Sequence, residues 1–385
     1  MKRLFSIVLA FSLAAGMLLA AQSSGDDYSD SDDFDAIFAD AAGDVEVEQS
    51  EPVTAPLSQS SSAISFTGHF NGDVGLFAII IDKSDFGGYL ALDNTLKMTV
   101  RPAPVVSIYG ALNTSLSNKF TLALSYLYFD YMMFDRIFIS AGKKDVSWGY
   151  TRLFTNGNIM ADTNGQLNAE FRLPWSTGTA TFVAAYNYAL LSGTPGYRDI
   201  TYAASIEQTI GHTSANIFAK KYGQSETTSG VHKSPLAGLE LKRTILGYDV
   251  YAQGYAYLPG FKSFEGVNAI AGFYKLWDAK DPNIGINLEY EYKYIYKPAP
   301  GQSSHNNLLW LQWGIKRIGK RKNMKGAVEW QHNFTDSEGK VTTAFIIDGV
   351  LPYASWKNGV EVTYGPSRKI PEFKIATTIS LSLDY

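Results

Sequence analysis

Five histidines are the first places to look for chemistry: His69, His212, His232, His305 and His332. Only one has a nucleophile at a useful offset. In His212-Thr213-Ser214 the base and the hydroxyl are two residues apart, and on an extended chain that spacing puts both on one face, as a nucleophile–base pair requires. No third residue to orient the imidazole is identifiable. No histidine pair stands at metal-ligand spacing from Asp or Glu, and no glycine-rich phosphate loop lies between a strand and a helix. The chain therefore reads as a non-enzyme without cofactor or metal.

A second set of residues carries more information because it alternates. From Ile284 to Tyr296 one face holds Ile284, Ile286, Leu288, Tyr290, Tyr292, Tyr294 and Tyr296, and the other holds Gly285, Asn287, Glu289, Glu291 and Lys293. Asp93, Lys97 and Arg101 oppose Leu90, Leu92, Leu96, Met98 and Val100 in the same way. Gln312 and Lys316 oppose Leu309, Leu311, Trp313 and Ile315, while Glu170 and Arg172 share a face of a weaker segment. A two-residue period is the signature of a strand. If these polar faces turn inward around a wide barrel, their charges line an aqueous lumen and set solute preference. They also serve equally as pairs that hold the wall together; both readings stand.

The elements that must position them are strands, for three reasons. Lys2 and Arg3, the apolar run Leu4 to Leu19 and the small residues Ala20-Ala21 form a secretory signal peptide over 1–21, so the protein is exported. The exported chain has no cysteine, which excludes a disulfide scaffold. After the signal peptide no apolar run is long enough for a membrane helix, whereas alternation persists from Ile64 onward. In lipid, every backbone donor and acceptor must be paired within the protein, and only helices and closed barrels do this. Abundant aromatics (24 Tyr, 22 Phe, 7 Trp) suit the two girdles of such a barrel. Tyr290, Tyr292, Tyr294, Tyr296, Trp313 and Tyr385 are its expected interface residues. A secreted β-sandwich or propeller shares the composition, but no fixed-length repeat is visible.

Residues 22–62 form a linker-like leader without a basic residue. Up to Glu51 the chain carries 11 acidic residues against Lys2 and Arg3, leaving 31 basic and 26 acidic groups in residues 52–385. Self-repulsion and low hydrophobicity predict disorder there, broken by a short helical stripe at Phe34, Ile37 and Phe38. The mildly basic body gives no reason to expect nucleic acid as a partner. The expected architecture for 63–385 is an all-β, antiparallel, up-and-down transmembrane barrel. At roughly 20 residues per strand with its turn, that is about 16 strands, between 14 and 18.

Four segments carry resemblances. Phe373 to Tyr385 alternates Phe373, Ile375, Thr377, Ile379, Leu381, Leu383 and Tyr385 against small or polar residues. It resembles the terminal strand of bacterial outer-membrane β-barrels, which ends on an aromatic and is recognised by the barrel-assembly machinery. Gly142 to Asn156, with Lys143-Lys144, Trp148-Gly149, Tyr150, Arg152 and Phe154, resembles the strand-to-loop signature of large porin-like barrels. Here Lys144 replaces a common Gln, and Thr155-Asn156-Gly157 replaces Asn-Pro. The resemblance implies either a constriction folded into the lumen, with Trp148, Gly149, Tyr150 and Arg152 at its turn, or a turn packed on the inner wall. The acidic leader, with its Phe-x-x-Ile-Phe stripe and Glu46-Val47-Glu48 before Pro52 and Pro56, resembles that of spirochaete, Treponema-like, outer-membrane proteins. His212-Thr213-Ser214 is similar to the His-x-Ser pair of outer-membrane phospholipase.

The function expected from these features is a porin-like channel in the outer membrane of a diderm bacterium. Its partners would be outer-membrane lipid, the assembly machinery and small hydrophilic solutes, with a homo-oligomer left open. A surface-exposed ligand-binding barrel with a closed lumen is the second reading and the phospholipase the third.

Overall fold

The computed structural model describes residues 63–80, 84–117, 119–186, 196–224, 227–228, 231–261, 263–277, 284–298, 303–315, 324–366 and 371–384. The signal peptide, the acidic leader with Phe34, Ile37 and Phe38, the lumen candidate Lys316 and the terminal Tyr385 lie outside them.

Strands β1 (Ala63–Ile80), β2 (Ser84–Ala103), β3 (Val106–Leu116), β4 (Phe120–Met133) and β5 (Ile137–Lys143) open the sheet. Next come β6 (Leu167–Trp175), β7 (Gly178–Tyr186), β8 (Ile200–Ile210) and β9 (Thr213–Lys221). A two-residue pair, β10 (Thr227–Thr228) and β11 (Val231–His232), forms a separate hairpin. The wall resumes with β12 (Leu236–Ile245), β13 (Tyr248–Tyr257), β14 (Gly266–Trp277), β15 (Ile284–Ile295) and β16 (His305–Ile315). It finishes with β17 (Met324–Asn333), β18 (Glu338–Leu351), β19 (Ala354–Tyr364) and β20 (Glu372–Asp384). Each barrel strand pairs antiparallel with its neighbours, and β20 returns to β1 in a ladder from His69↔Asp384 to Ile80↔Phe373. The sheet has no edge. At the seam His69 Nδ1 meets Asp384 Oδ1 at 2.8 Å.

The barrel has 18 strands, not about 16. The estimate from average spacing ran low because many hairpins at one end need only two residues. At Leu246-Gly247 both residues take positive φ (53° and 75°), which matches the mirror-image turns that tight hairpins favour. Leu246 is thus an exposed turn residue. Tyr296, the end of the alternating stretch from Ile284, falls just beyond β15.

Burial is the reverse of a soluble domain. Ile64, Phe66, Leu122, Ile206 and Ile217 are all more than half exposed, while Glu240, Glu289, Glu291, Lys220, Asn268 and Gln253 are buried. The outward apolar side chains suit a hydrocarbon surround, and the polar groups inside find partners with one another. Aromatic clusters stand at both ends of β13 to β16. Tyr292 bonds His305 at 2.8 Å and Tyr294 stacks on Phe264 at the end where β15 finishes. At the opposite rim Tyr248 meets Trp277 edge-on, and the Lys275 ammonium lies 4.0 Å from the Tyr248 ring centroid. Tyr290 and Trp313 also face outward, each about two-fifths exposed.

Candidate functional site

The β5–β6 connection, residues 144–166, does not project into solvent. It folds inward and lies along the wall from β6 to β16, half of the barrel's circumference. Its own bonds shape it first. Asn158 Oδ1 accepts the Trp148 and Met160 N–H groups, both at 3.0 Å, and Ile159 N donates to the Trp148 carbonyl at 3.1 Å. Short 3-10 turns at Thr155–Gly157 and Ala161–Thr163 complete it. Gly149 is indispensable to this path. Its φ of +131° suits glycine, and a Cβ there would overlap the Gly157 carbonyl oxygen.

Two apolar pads then seat the loop. Val146 and Met160 pack with Val183 of β7 and Ala203 of β8. Ile159 packs with Phe218 of β9, Leu236 of β12 and Tyr255 of β13. Trp148 touches both pads. The inward positions Val183, Ala203, Phe218 and Leu236 are apolar where the loop, not water, covers them.

Polar anchors fix the ends and the tip. At the root, Lys144 Nζ lies 2.8 Å from both Glu170 Oε2 and Ser140 Oγ, and Arg172 Nε reaches Glu170 Oε1 at 2.8 Å. Further on, Lys220, 1% exposed, donates to the Ile159 carbonyl at 2.7 Å and pairs with Asp162, which also takes Lys233 at 3.2 Å. At the tip, Glu289 is fully buried and its carboxylate accepts three consecutive backbone N–H groups. These are Arg152 at 2.5 Å, Leu153 at 3.1 Å and Phe154 at 2.9 Å. The Tyr251 hydroxyl donates to the same carboxylate at 2.5 Å. Glu291 accepts from Asn156 and, at 2.9 Å, from Asn268, with Lys293 3.0 Å away. Gln253 Nε2 donates to the Gly157 carbonyl at 2.8 Å. The Arg152 guanidinium lies over the Tyr274 ring at 4.0 Å, and Phe154 meets Trp310 edge-on at 5.5 Å. The Tyr150 hydroxyl donates to Glu207 at 2.7 Å; burial and then that carboxylate push its pKa up, so it stays a donor.

Of the residues singled out in the sequence, Asn287, Glu289, Glu291 and Lys293 share the inward face of β15, Glu170 and Arg172 that of β6, and Gln312 that of β16. Asp93, Lys97 and Arg101 share the inward face of β2, on the arc the loop leaves uncovered. The structure brings Glu289 together with the Arg152 backbone, Glu291 with Asn156 and, through Glu207, Tyr150 with the wall. It does not bring Asp93, Lys97 and Arg101 to the loop. Glu289, Glu291 and Asn287 are covered rather than open to the lumen, because the loop's donors have taken their place at the wall. Wall charges elsewhere also pair, as in Lys325–Asp348 at 2.7 Å and Lys340–Glu361 at 3.3 Å, so the interior has no single sign.

Sequence reasoning missed Lys144, Asp162, Lys220, Tyr251, Gln253 and Tyr255. The inward Tyr-x-Gln-x-Tyr of β13 was visible as alternation, but nothing in the sequence said what it faces. The His212–Ser214 pair dissolves. His212 lies in the turn before β9, and Ser214 Oγ is 3.3 Å from Thr209 Oγ1.

No family model and no curated protein matches the chain. Solved structures do. OccAB4 of Acinetobacter baumannii shares 8% identity, with 85% of this chain and 100% of that one covered at a TM-score of 0.52. OccK2 (OpdF) of Pseudomonas aeruginosa, solved with glucuronate, shares 7% over 83% and 96% at 0.54. OpdK of the same organism, solved with vanillate, shares 9% over 83% and 99% at 0.50. At such identities the likeness establishes the fold. No spirochaete protein is among these three, and the leader that suggested one lies outside the described residues.

Proposed function

We propose that the protein is a porin-like channel of the outer membrane of a diderm bacterium, through which small hydrophilic solutes diffuse passively. One observation carries this reading: residues 144–166 are fixed inside a wide closed barrel by the buried carboxylate of Glu289. A surface loop used for adhesion has no need of such an anchor. A loop that narrows a pore does, because an unfixed segment would wander across the opening. The uncovered arc, with Asp93, Lys97 and Arg101 on β2, is the wall along which solute would pass. Arg152 and Phe154 stand on the loop side of that passage, with Tyr150 and Trp148 behind them as supports.

The likeness to an outer-membrane protein of Pseudomonas, and to barrels solved with vanillate and glucuronate, supports a solute channel and makes small carboxylic acids the first solutes to try. The terminal strand fits insertion by the barrel-assembly machinery. The test is planar-bilayer recording of the refolded protein. Stepwise conductance is expected, with glucuronate lowering the chloride current; a bilayer that shows no steps ends the channel reading.

A further inference from the structure

The wall beneath Gly149 and Tyr150 is short of hydrogen-bond donors. Glu207 of β8, Asn216 of β9, Glu240 of β12 and Gln253 of β13 stand directly opposite one another in successive ladders. Side chains so paired start about 5 Å apart. Asn216, Glu240 and Gln253 are 7%, 1% and 3% exposed. Each has one side-chain oxygen without a hydrogen-bond partner among the described residues: Asn216 Oδ1, Glu240 Oε1 and Gln253 Oε1.

The donors present are already placed. Asn216 Nδ2 gives its bond to Glu240 Oε2 at 2.8 Å, Gln253 Nε2 to the Gly157 carbonyl at 2.8 Å, and Tyr150 to Glu207 at 2.7 Å. The loop roofs the row closely, since a Cβ on Gly149 would stand 3.2 Å from Gln253 Oε1. On the same strand face the Lys242 ammonium lies 5.8 Å from the Tyr150 ring centroid and 3.6 Å from Asp249. Two carboxylates and two amides thus stand side by side with three of their oxygens unpartnered among the described residues, and buried polar atoms in folded proteins almost always have a partner.

We propose that this row binds a hard divalent cation of the calcium type, with Glu207, Glu240 and the amide oxygens of Asn216 and Gln253 as ligands. A cation is the ligand that asks only for acceptors. Calcium takes carboxylate and amide oxygens in flexible geometry and completes six to eight positions with water. Two carboxylates match its charge. A nitrogen- or sulfur-seeking metal finds nothing here, and no group of three or more His, Cys, Asp or Glu is arranged for a metal among the described residues. The ion would hold β8, β9, β12 and β13 together beneath Gly149 and Tyr150. The site stands on the fold alone and does not require that the barrel conduct.

Calorimetry with calcium chloride on the refolded barrel tests it, with heat-modifiable gel migration reporting that each variant is folded. Wild type is expected to show one saturable site, with a dissociation constant of about 10⁻⁴–10⁻³ M for a site of few charges. Glu240→Gln should weaken it at least tenfold, whereas Asp336→Asn in the exposed β17–β18 turn leaves it unchanged. Should Glu240→Gln fail to fold, Asn216→Asp adds a charge without removing a ligand and should tighten the site severalfold. No saturable binding in wild type, equal affinity in Glu240→Gln, or no gain in a folded Asn216→Asp overturns the proposal.

Discussion

Replacing Glu289 by alanine should release the tip of the inward loop while leaving the barrel intact. The carboxylate holds the N–H groups of Arg152, Leu153 and Phe154 and is itself fully buried. Without it three donors lose their acceptor in a water-poor space. An orphaned buried donor costs about 1–3 kcal/mol, and the lower figure applies because the buried charge disappears too, so the tip loses about 3 kcal/mol of docking energy. At about 1.4 kcal/mol per factor of ten, local opening becomes some two orders of magnitude more frequent. The loss stays local because the wall's ladders do not run through residue 289's side chain. Amide hydrogen exchange at Arg152 to Phe154 should accelerate by about that factor, and channel recordings should show larger, noisier conductance steps. Unchanged exchange at those three amides, in a variant that keeps its heat-modifiable migration, would refute the idea that Glu289 anchors the loop.

Gly149→Ala forces a side chain onto the Gly157 carbonyl at φ +131°, at a cost of about 1–3 kcal/mol. Protease should then cut between Trp148 and Asn158 faster, with the barrel still folded. Ile217→Arg puts a charge on the outward face of β9, where the side chain is two-thirds exposed. It should cost about 2–4 kcal/mol in urea titrations of folding into lipid vesicles. Thr95→Arg on the inward face of β2 should instead change conductance and leave folding unaltered. Replacing Lys97 and Arg101 by glutamine removes two positive charges from the uncovered arc, so the reversal potential in a salt gradient should move toward cation preference.

Much of the fold was legible because a strand's period is short and a membrane makes it strict. Strands β2, β6, β15, β16 and β20 lie where Asp93 to Arg101, Glu170 to Arg172, Ile284 to Tyr296, Leu309 to Ile315 and Phe373 to Tyr385 alternate. What misled was the average spacing, which ignored how little chain a two-residue turn such as Leu246-Gly247 consumes. The inward charges were legible as a face but not as partners. Glu289 and Glu291 look like any polar pair on a strand, and nothing in their neighbours says that a loop some 135 residues earlier will cover them.

The sequence by itself determined the class: no disulfide framework, and alternating faces that suit a closed antiparallel barrel with its apolar groups outward. These properties are local, set by residue type and period, and need no partner to be read. Only the tertiary structure decided the ring size, the arc that the loop covers and the arc it leaves free. It alone placed Glu289 under three amides and left Asn216 Oδ1, Glu240 Oε1 and Gln253 Oε1 without a partner among the described residues. Those outcomes depend on closure, which brings distant strands to one height around the barrel, and no local pattern records that register.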